Sequence, residues 1–259
     1  MKIFDCVMFF NELELLELRL MTLNDVVDYF VLVEANRTHT GNTKDFLFEK
    51  NRNLYKKYLD KIIYVKVEDT PALDKSKDYW AIENFQRNCI TRGLANAKDG
   101  DRVIISDLDE IPDPGKLTEV LDSNDPVAFN QYLFYYYVNC LSGRNWNGSI
   151  MTPFKNMKSP QNLRIIKRKF NRIKKGGWHY SYMGGLDKIK LKLDNLFDAF
   201  TRIDQVGTDE DILRKINTQK DLWDESYSHS LININEKGYS PPSINKFIKK
   251  YPNFYFSQV

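Results

Sequence analysis

Val103-Ile104-Ile105-Ser106-Asp107-Leu108-Asp109-Glu110-Ile111-Pro112 reads as a buried strand that ends in a cluster of carboxylates. The turn Asp99-Gly100-Asp101 precedes it, and Pro112 and Pro114 close it. Residues two apart at a strand end project to the same side, so Asp107 and Asp109 are brought together. Two carboxylates that close repel each other unless one is protonated or a cation lies between them. Hard oxygen ligands suit Mg²⁺ or Mn²⁺, which keep positions open for phosphate oxygens. Two readings compete: a metal site that clamps a nucleotide diphosphate, or a solvated acidic turn whose prolines end the strand. A position after the fourth strand of an alternating sheet favours the first.

Upstream, strands and helices alternate. Lys2 to Phe10, Tyr29 to Val33 and Ile62 to Val67 read as strands one to three. Leu13, Leu15, Leu16, Leu18, Leu20 and Leu23, with charges between them, form an amphipathic helix, and Tyr79 to Ala97 forms another. This order implies a mostly parallel α/β sheet covered on both faces, with ligands at the C-terminal ends of its strands. After Asp125 the texture changes. Val127 to Val138 is aromatic, and Lys155 to Lys175 is cationic with few acids. Gly176-Gly177-Trp178-His179-Tyr180 is followed by Gly184-Gly185, and Leu186 to Phe197 reads as a helix. The spacing predicts one domain, with residues 1–125 as a nucleotide-binding platform and residues 126–259 as the wall of a polar, ring-shaped substrate site.

The balance of 38 basic against 35 acidic residues gives a net charge of +3, too small to argue for nucleic acid. With 14% aromatic residues, the 259-residue chain is not disordered. No apolar run reaches a membrane span and no secretory signal opens the chain. Cys6, Cys89 and Cys140 are odd in number and far apart, which argues for reduced thiols, with Cys6 and Cys89 buried, and for a soluble cytoplasmic protein.

Further candidates flank the strand ends. Arg87 and Asn88 could touch a phosphate and a base or ribose, or Arg87 could simply pair with Glu83 one helical turn away. Glu34 and Asp69 follow strands two and three, where acids accept from ribose or base in doubly wound folds; Asp69 reads better as a loop acid. His179 is a metal or substrate ligand, or a packed histidine, with Trp178 or Tyr180 as a stacking face. The cations from Arg164 to Lys175 form a solvated face or attract an anionic nucleotide or acidic acceptor.

Four segments together resemble glycosyltransferase family 17, the family of the β-1,4-mannosyl-glycoprotein β-1,4-N-acetylglucosaminyltransferases. They are Phe9-Phe10-Asn11-Glu12 with Leu15 to Leu20; Val27 to Glu34 with Thr38 and Thr40-Gly41; Gln86-Arg87-Asn88 leading into Ser106 to Pro112; and Gly177 to Tyr182 with Gly184-Gly185 and Asp187. Tyr239-Ser240-Pro241 and the aromatic end are a weaker match. The segments run in the family's order over nearly the whole chain, and the chain is similar to its short soluble bacterial and viral members.

The resemblance implies a GT-A type, Rossmann-like single domain, a UDP-sugar donor, N-acetylglucosamine as the sugar, and inverting transfer to a glycan or glycolipid acceptor. Asp107 and Asp109, with His179, are then expected at Mn²⁺ or Mg²⁺. Phe10, Asn11, Glu34, Arg87, Asn88, Asp107 and Trp178 are expected around the donor. Inversion needs a base opposite the leaving phosphate. Asp187 is expected there, against the competing role of a helix-terminal acid, with Glu110 and Glu225 as alternates. The other class of function is a non-catalytic carbohydrate- or nucleotide-sugar-binding module on the same fold.

Overall fold

The computed structural model describes residues 1–72, 78, 80–195 and 205–257. Tyr79 and the last two residues of the expected helix 186–197 lie outside them. Strands β1 (Ile3–Phe9), β2 (Tyr29–Ala35), β3 (Ile62–Val67) and β4 (Arg102–Asp107) pair in parallel, in the order β3-β2-β1-β4. The sheet then turns mixed through β7 (Cys140–Pro153), β6 (Val127–Tyr135), β9 (Gly177–Ser181) and β5 (Glu110–Pro112). Two short strands, β8 (Asn171–Ile173) and β10 (Ser230–Leu231), pair off this path. The result is the expected single α/β domain on a large, largely parallel sheet.

Strand alternation builds a core on each face. Ile3, Val7 and Phe9 of β1, Phe30 and Leu32 of β2 and Ile104 of β4 face the leucines of helix α1 (Leu13–Leu23). Phe4 and Cys6, Val31 and Val33, and Val103 and Ile105 face the other side, beneath helix α3 (Ala81–Asn88), the 3-10 turn Cys89–Leu94 and helix α5 (Pro160–Ile166). Gly93 permits that packing, because a Cβ there would stand 2.3 Å from Val31 Cγ1. The expected helix 79–97 is therefore an α-helix only to Asn88. Short helices α2 (Leu47–Asn51) and α4 (Pro114–Glu119) follow β2 and β5. A third cluster joins β6 to helices α6 (Leu186–Asn195) and α7 (Asp209–Asn217) through Leu133, Tyr135, Ile189, Leu193, Ile212 and Ile216. Helix α8 (Ile244–Lys250) packs on the α1 side through Ile244 and Phe247. All three cysteines are buried free thiols. No helix among the described residues is long and apolar enough to cross a membrane.

Candidate active site

Asp107 ends β4, Leu108 and Asp109 make the turn, and Glu110 opens β5. The same alternation that sorts the core puts Asp5 and Ser106 on the α1 face, where Arg19 meets them. Arg19 is sealed from solvent. Its guanidinium donates to Asp5 through Nε at 2.7 Å and Nη2 at 2.6 Å, and to Ser106 Oγ at 2.6 Å. Nη1 reaches the carbonyls of Asp107 at 3.3 Å, Leu108 at 3.2 Å and Glu110 at 2.8 Å. All of the fork's donors are used, so the acidic turn is held from behind by a planar, permanently charged group.

The carboxylates of the turn face other cations. Asp107 accepts from Arg87 Nη2 at 3.1 Å and Arg164 Nη2 at 2.6 Å. Arg164 also grips the fully buried Glu110, at 2.7 and 3.0 Å. Asp109 accepts from Lys192 Nζ at 2.9 Å, and its other oxygen lies 3.5 Å from His179 Nε2. Desolvation pushes the Asp107 carboxyl up, but Arg164 and Arg87 outweigh it and hold the group well below the usual carboxylate range. Asp109 follows the same logic, with Lys192 and His179 overriding burial. Burial lowers Lys192, yet Asp109 more than offsets it and the ammonium stays charged.

Arg87, Asp107, Asp109, His179 and Lys192 of this cluster floor a cavity of about 280 Å³ at the C-terminal ends of β1, β2 and β4. Phe10 and Trp80 supply aromatic wall, with Lys44 Nζ 5.7 Å from the centre of the Phe10 ring. Thr38, His39 and Gln86 line the β2 side. His39 Nε2 lies 3.2 Å from Gln86 Oε1, and Gln86 Nε2 donates to the Val33 carbonyl at 3.1 Å. On the far side the Trp146 ring tilts against His179, centroids 4.8 Å apart, and donates to Glu110 at 2.6 Å. A small second cavity, lined by Asn11, Glu12, Tyr182 and Lys188, opens beside Asp109 and Lys192.

The structure thus brings Phe10, Arg87, Asp107, Asp109 and His179 to one cavity and Asn11 to its neighbour. It does not bring Glu34. That carboxylate is buried and saturated by Lys44, Tyr64 and the backbone amides of Leu47 and Phe48, so it anchors the start of α2. Asn88 ties the end of α3 to the start of α5, accepting from Ser159 Oγ and the Gln161 amide on the exposed outside. Trp178 is in the core and donates to the Gly238 carbonyl. Neighbours on a strand point to opposite faces, so His179 in the cavity excludes Trp178 and Tyr180 from it. Gly177 (φ +135°) sets this register, because a Cβ there would stand 2.2 Å from the Ile111 carbonyl on β5. Asp187 is exposed in the first turn of α6 and lines neither cavity. Glu225 pairs with Arg214 at the surface, and Asp69 with Arg92. Sequence reasoning missed Trp146, Lys192, Glu12, the His39–Gln86 pair and above all Arg164, which in sequence is one of a run of cations that reads as a surface.

A family model described as Glycosyltransferase family 17 matches residues 1–242. The human and rat β-1,4-mannosyl-glycoprotein 4-β-N-acetylglucosaminyltransferases are each 32% identical over 108 residues, 39% of this chain and 20% of theirs. The match therefore spans about a fifth of the length of those curated relatives. Among solved structures, the mannosyltransferase PcManGT of Pyrobaculum calidifontis, in complex with GDP-Man and Mn²⁺, aligns at a TM-score of 0.41 with 10% identity, over 80% of this chain and 65% of that one. A likeness that distant bears on neither donor nor metal.

Proposed function

The chain belongs to glycosyltransferase family 17, and from that premise we propose that it moves a sugar, N-acetylglucosamine, from a UDP-sugar to a hydroxyl of a glycan or glycolipid acceptor, with inversion. The observation that carries this reading is the Asp107-Leu108-Asp109 turn, braced by Arg19 and opening among Arg87, Arg164 and Lys192 into an aromatic-walled cavity. Residues 1–125 grip the donor, and residues 126–259 form the acceptor side, reaching into the shared cavity through Trp146, His179 and Lys192. Phe10 stacks on the uracil. The His39–Gln86 pair takes the base-facing place expected of Glu34, and Asp107 accepts from a donor hydroxyl. Arg87 and Lys192 offset the charge that gathers on the departing diphosphate.

Asp109 and His179 fit one divalent cation, Mn²⁺ or Mg²⁺. Asp109 Oδ1 and His179 Nε2 share the cavity wall 3.5 Å apart. Among the described residues no group of three such side chains is arranged to hold a metal, so the protein offers a partial shell. Hard cations commonly complete a partial shell with substrate phosphates and water. Bound there, the ion would act as a Lewis acid on the leaving diphosphate.

The acceptor proton goes to Glu12 rather than to Asp187. Glu12 lines both cavities, and among the described residues only its Oε2 is engaged, by the amides of Phe10 and Asn11. UDP release from a panel of UDP-sugars, with Mn²⁺ and with excess EDTA, tests the reading. One donor should be turned over, EDTA should stop it, and Glu12→Gln should cut turnover at least about a hundredfold with donor binding kept. Donor binding without UDP release under any condition would make the chain a binding module. Full activity in EDTA would remove the metal.

A further inference from the structure

No aspartate or glutamate occurs between Asp125 and Asp187, and the cations of that stretch concentrate from Lys155 to Lys175. The segment folds with a strict inside and outside. Phe154, Met157, Leu163 and Phe170 pack against the core beneath α5. Arg164 and Lys167 turn toward the carboxylates of the site, Lys167 Nζ lying 5.3 Å from the centre of the Trp146 ring. What remains outside is uniform in sign. Lys158, Arg168, Lys169, Arg172, Lys174 and Lys175 are all exposed, and among the described residues none has an ion-pair partner. Ile165 and Ile166 stand in the middle of this field, 67% and 38% exposed.

Isolated exposed aliphatics are ordinary, and so are solvated cations. Two adjacent exposed isoleucines inside a cationic segment that carries no acid of its own are a different chemistry. Hydrated nucleic acid or an acidic polysaccharide offers the charge but nowhere to put the isoleucines. A bilayer with acidic headgroups offers both, a negative surface potential for the lysines and arginines and an apolar layer just beneath it. We propose that this surface, formed by the outer side of α5, the following turn and β8, docks the protein on a membrane rich in acidic phospholipid. It begins one residue from Arg164, so a docked molecule would hold its site close to lipid-borne acceptors. The acceptor clause rests on the transferase reading; the docking itself does not.

The test is co-sedimentation of the whole chain with phosphatidylcholine vesicles with and without phosphatidylglycerol, with no donor or acceptor present. Wild type should bind only the acidic vesicles. Arg168→Glu/Lys169→Glu/Arg172→Glu should lower the partition at least about a hundredfold. Ile165→Ser/Ile166→Ser should lower it about tenfold and leave only binding that salt removes. Unchanged thermal unfolding of both variants shows that the fold is kept. Equal binding to neutral vesicles would overturn the proposal. So would a serine variant that binds as wild type, or binding to a DNA duplex as tight as to the vesicles; either would make the surface a general polyanion contact.

Discussion

Asp5–Arg19 and Asp107–Arg87–Arg164 lie on opposite faces of β1 and β4 and use the same chemistry in different surroundings. In the first, both side chains are 0% exposed and the protein satisfies every donor of the guanidinium. In the second, Asp107 is 36% exposed toward the cavity and, among the described residues, Arg87 Nε is buried without a partner. A closed set of charges has nothing left to exchange, so it fixes shape. An open set can trade a protein contact for a ligand contact with little rearrangement, which is what a preorganised electrostatic site requires. Arg19 and Arg164 are both buried arginines gripping the same turn, and only the environment of the carboxylates they hold separates a closed brace from an open cluster.

The largest expected effect breaks the brace. Arg19→Met leaves Asp5 as an unpaired buried charge and frees three turn carbonyls, and should cost about 3–5 kcal/mol in chemical unfolding. If it lowers UDP affinity while stability stays within about 0.5 kcal/mol, a surface-like change, the division between the clusters fails. On the open side, Arg87→Ala should weaken UDP binding by about 1–3 kcal/mol, measured by calorimetry, with a smaller loss of stability. Unchanged affinity would return Arg87 to its ion pair with Glu83, 2.6 Å away.

The smallest effect sharpens the comparison through pH. Lys192 helps hold Asp109 below its ordinary range, so the pair stabilises the folded state above that range. As pH falls through the carboxylate region, below about 4, Asp109 in the unfolded chain gains a proton first and the advantage is lost. Lys192→Met should therefore be less stable than wild type by about 1–2 kcal/mol at neutral pH, with the gap closing in acid. A gap that does not depend on pH would assign Lys192 to packing alone.

The parallel half was legible because buried parallel strands read as apolar runs and their order follows from right-handed crossovers. The Asp-x-Asp turn was legible for the same reason, since it ends such a run. The errors came where a residue's side of an element decides its role. Trp178 and His179 are adjacent in sequence and read as one site, but strand alternation separates them. Glu34 sits at a strand end as expected, but the start of α2 claims it. Arg164 is one cation among many in sequence, and only the burial of Leu163 beside it and the acids at β4 and β5 distinguish it. Lys192 and Trp146 carry no local signal, because the contacts that give them meaning are made across the sheet.

Arg19 also fixes when the site can exist. Its bonds to Ser106 and to the Glu110 carbonyl close intervals of 87 and 91 residues. Contacts of that span are made late, after the intervening loop entropy has been met by other burial. The acidic turn cannot take its shape until α1 is docked on β1 and β4 is laid beside them. Nucleotide binding should therefore appear with the last kinetic phase of refolding and not with early collapse, and a nascent chain should stay blind to its donor until the residues beyond Glu110 have left the ribosome.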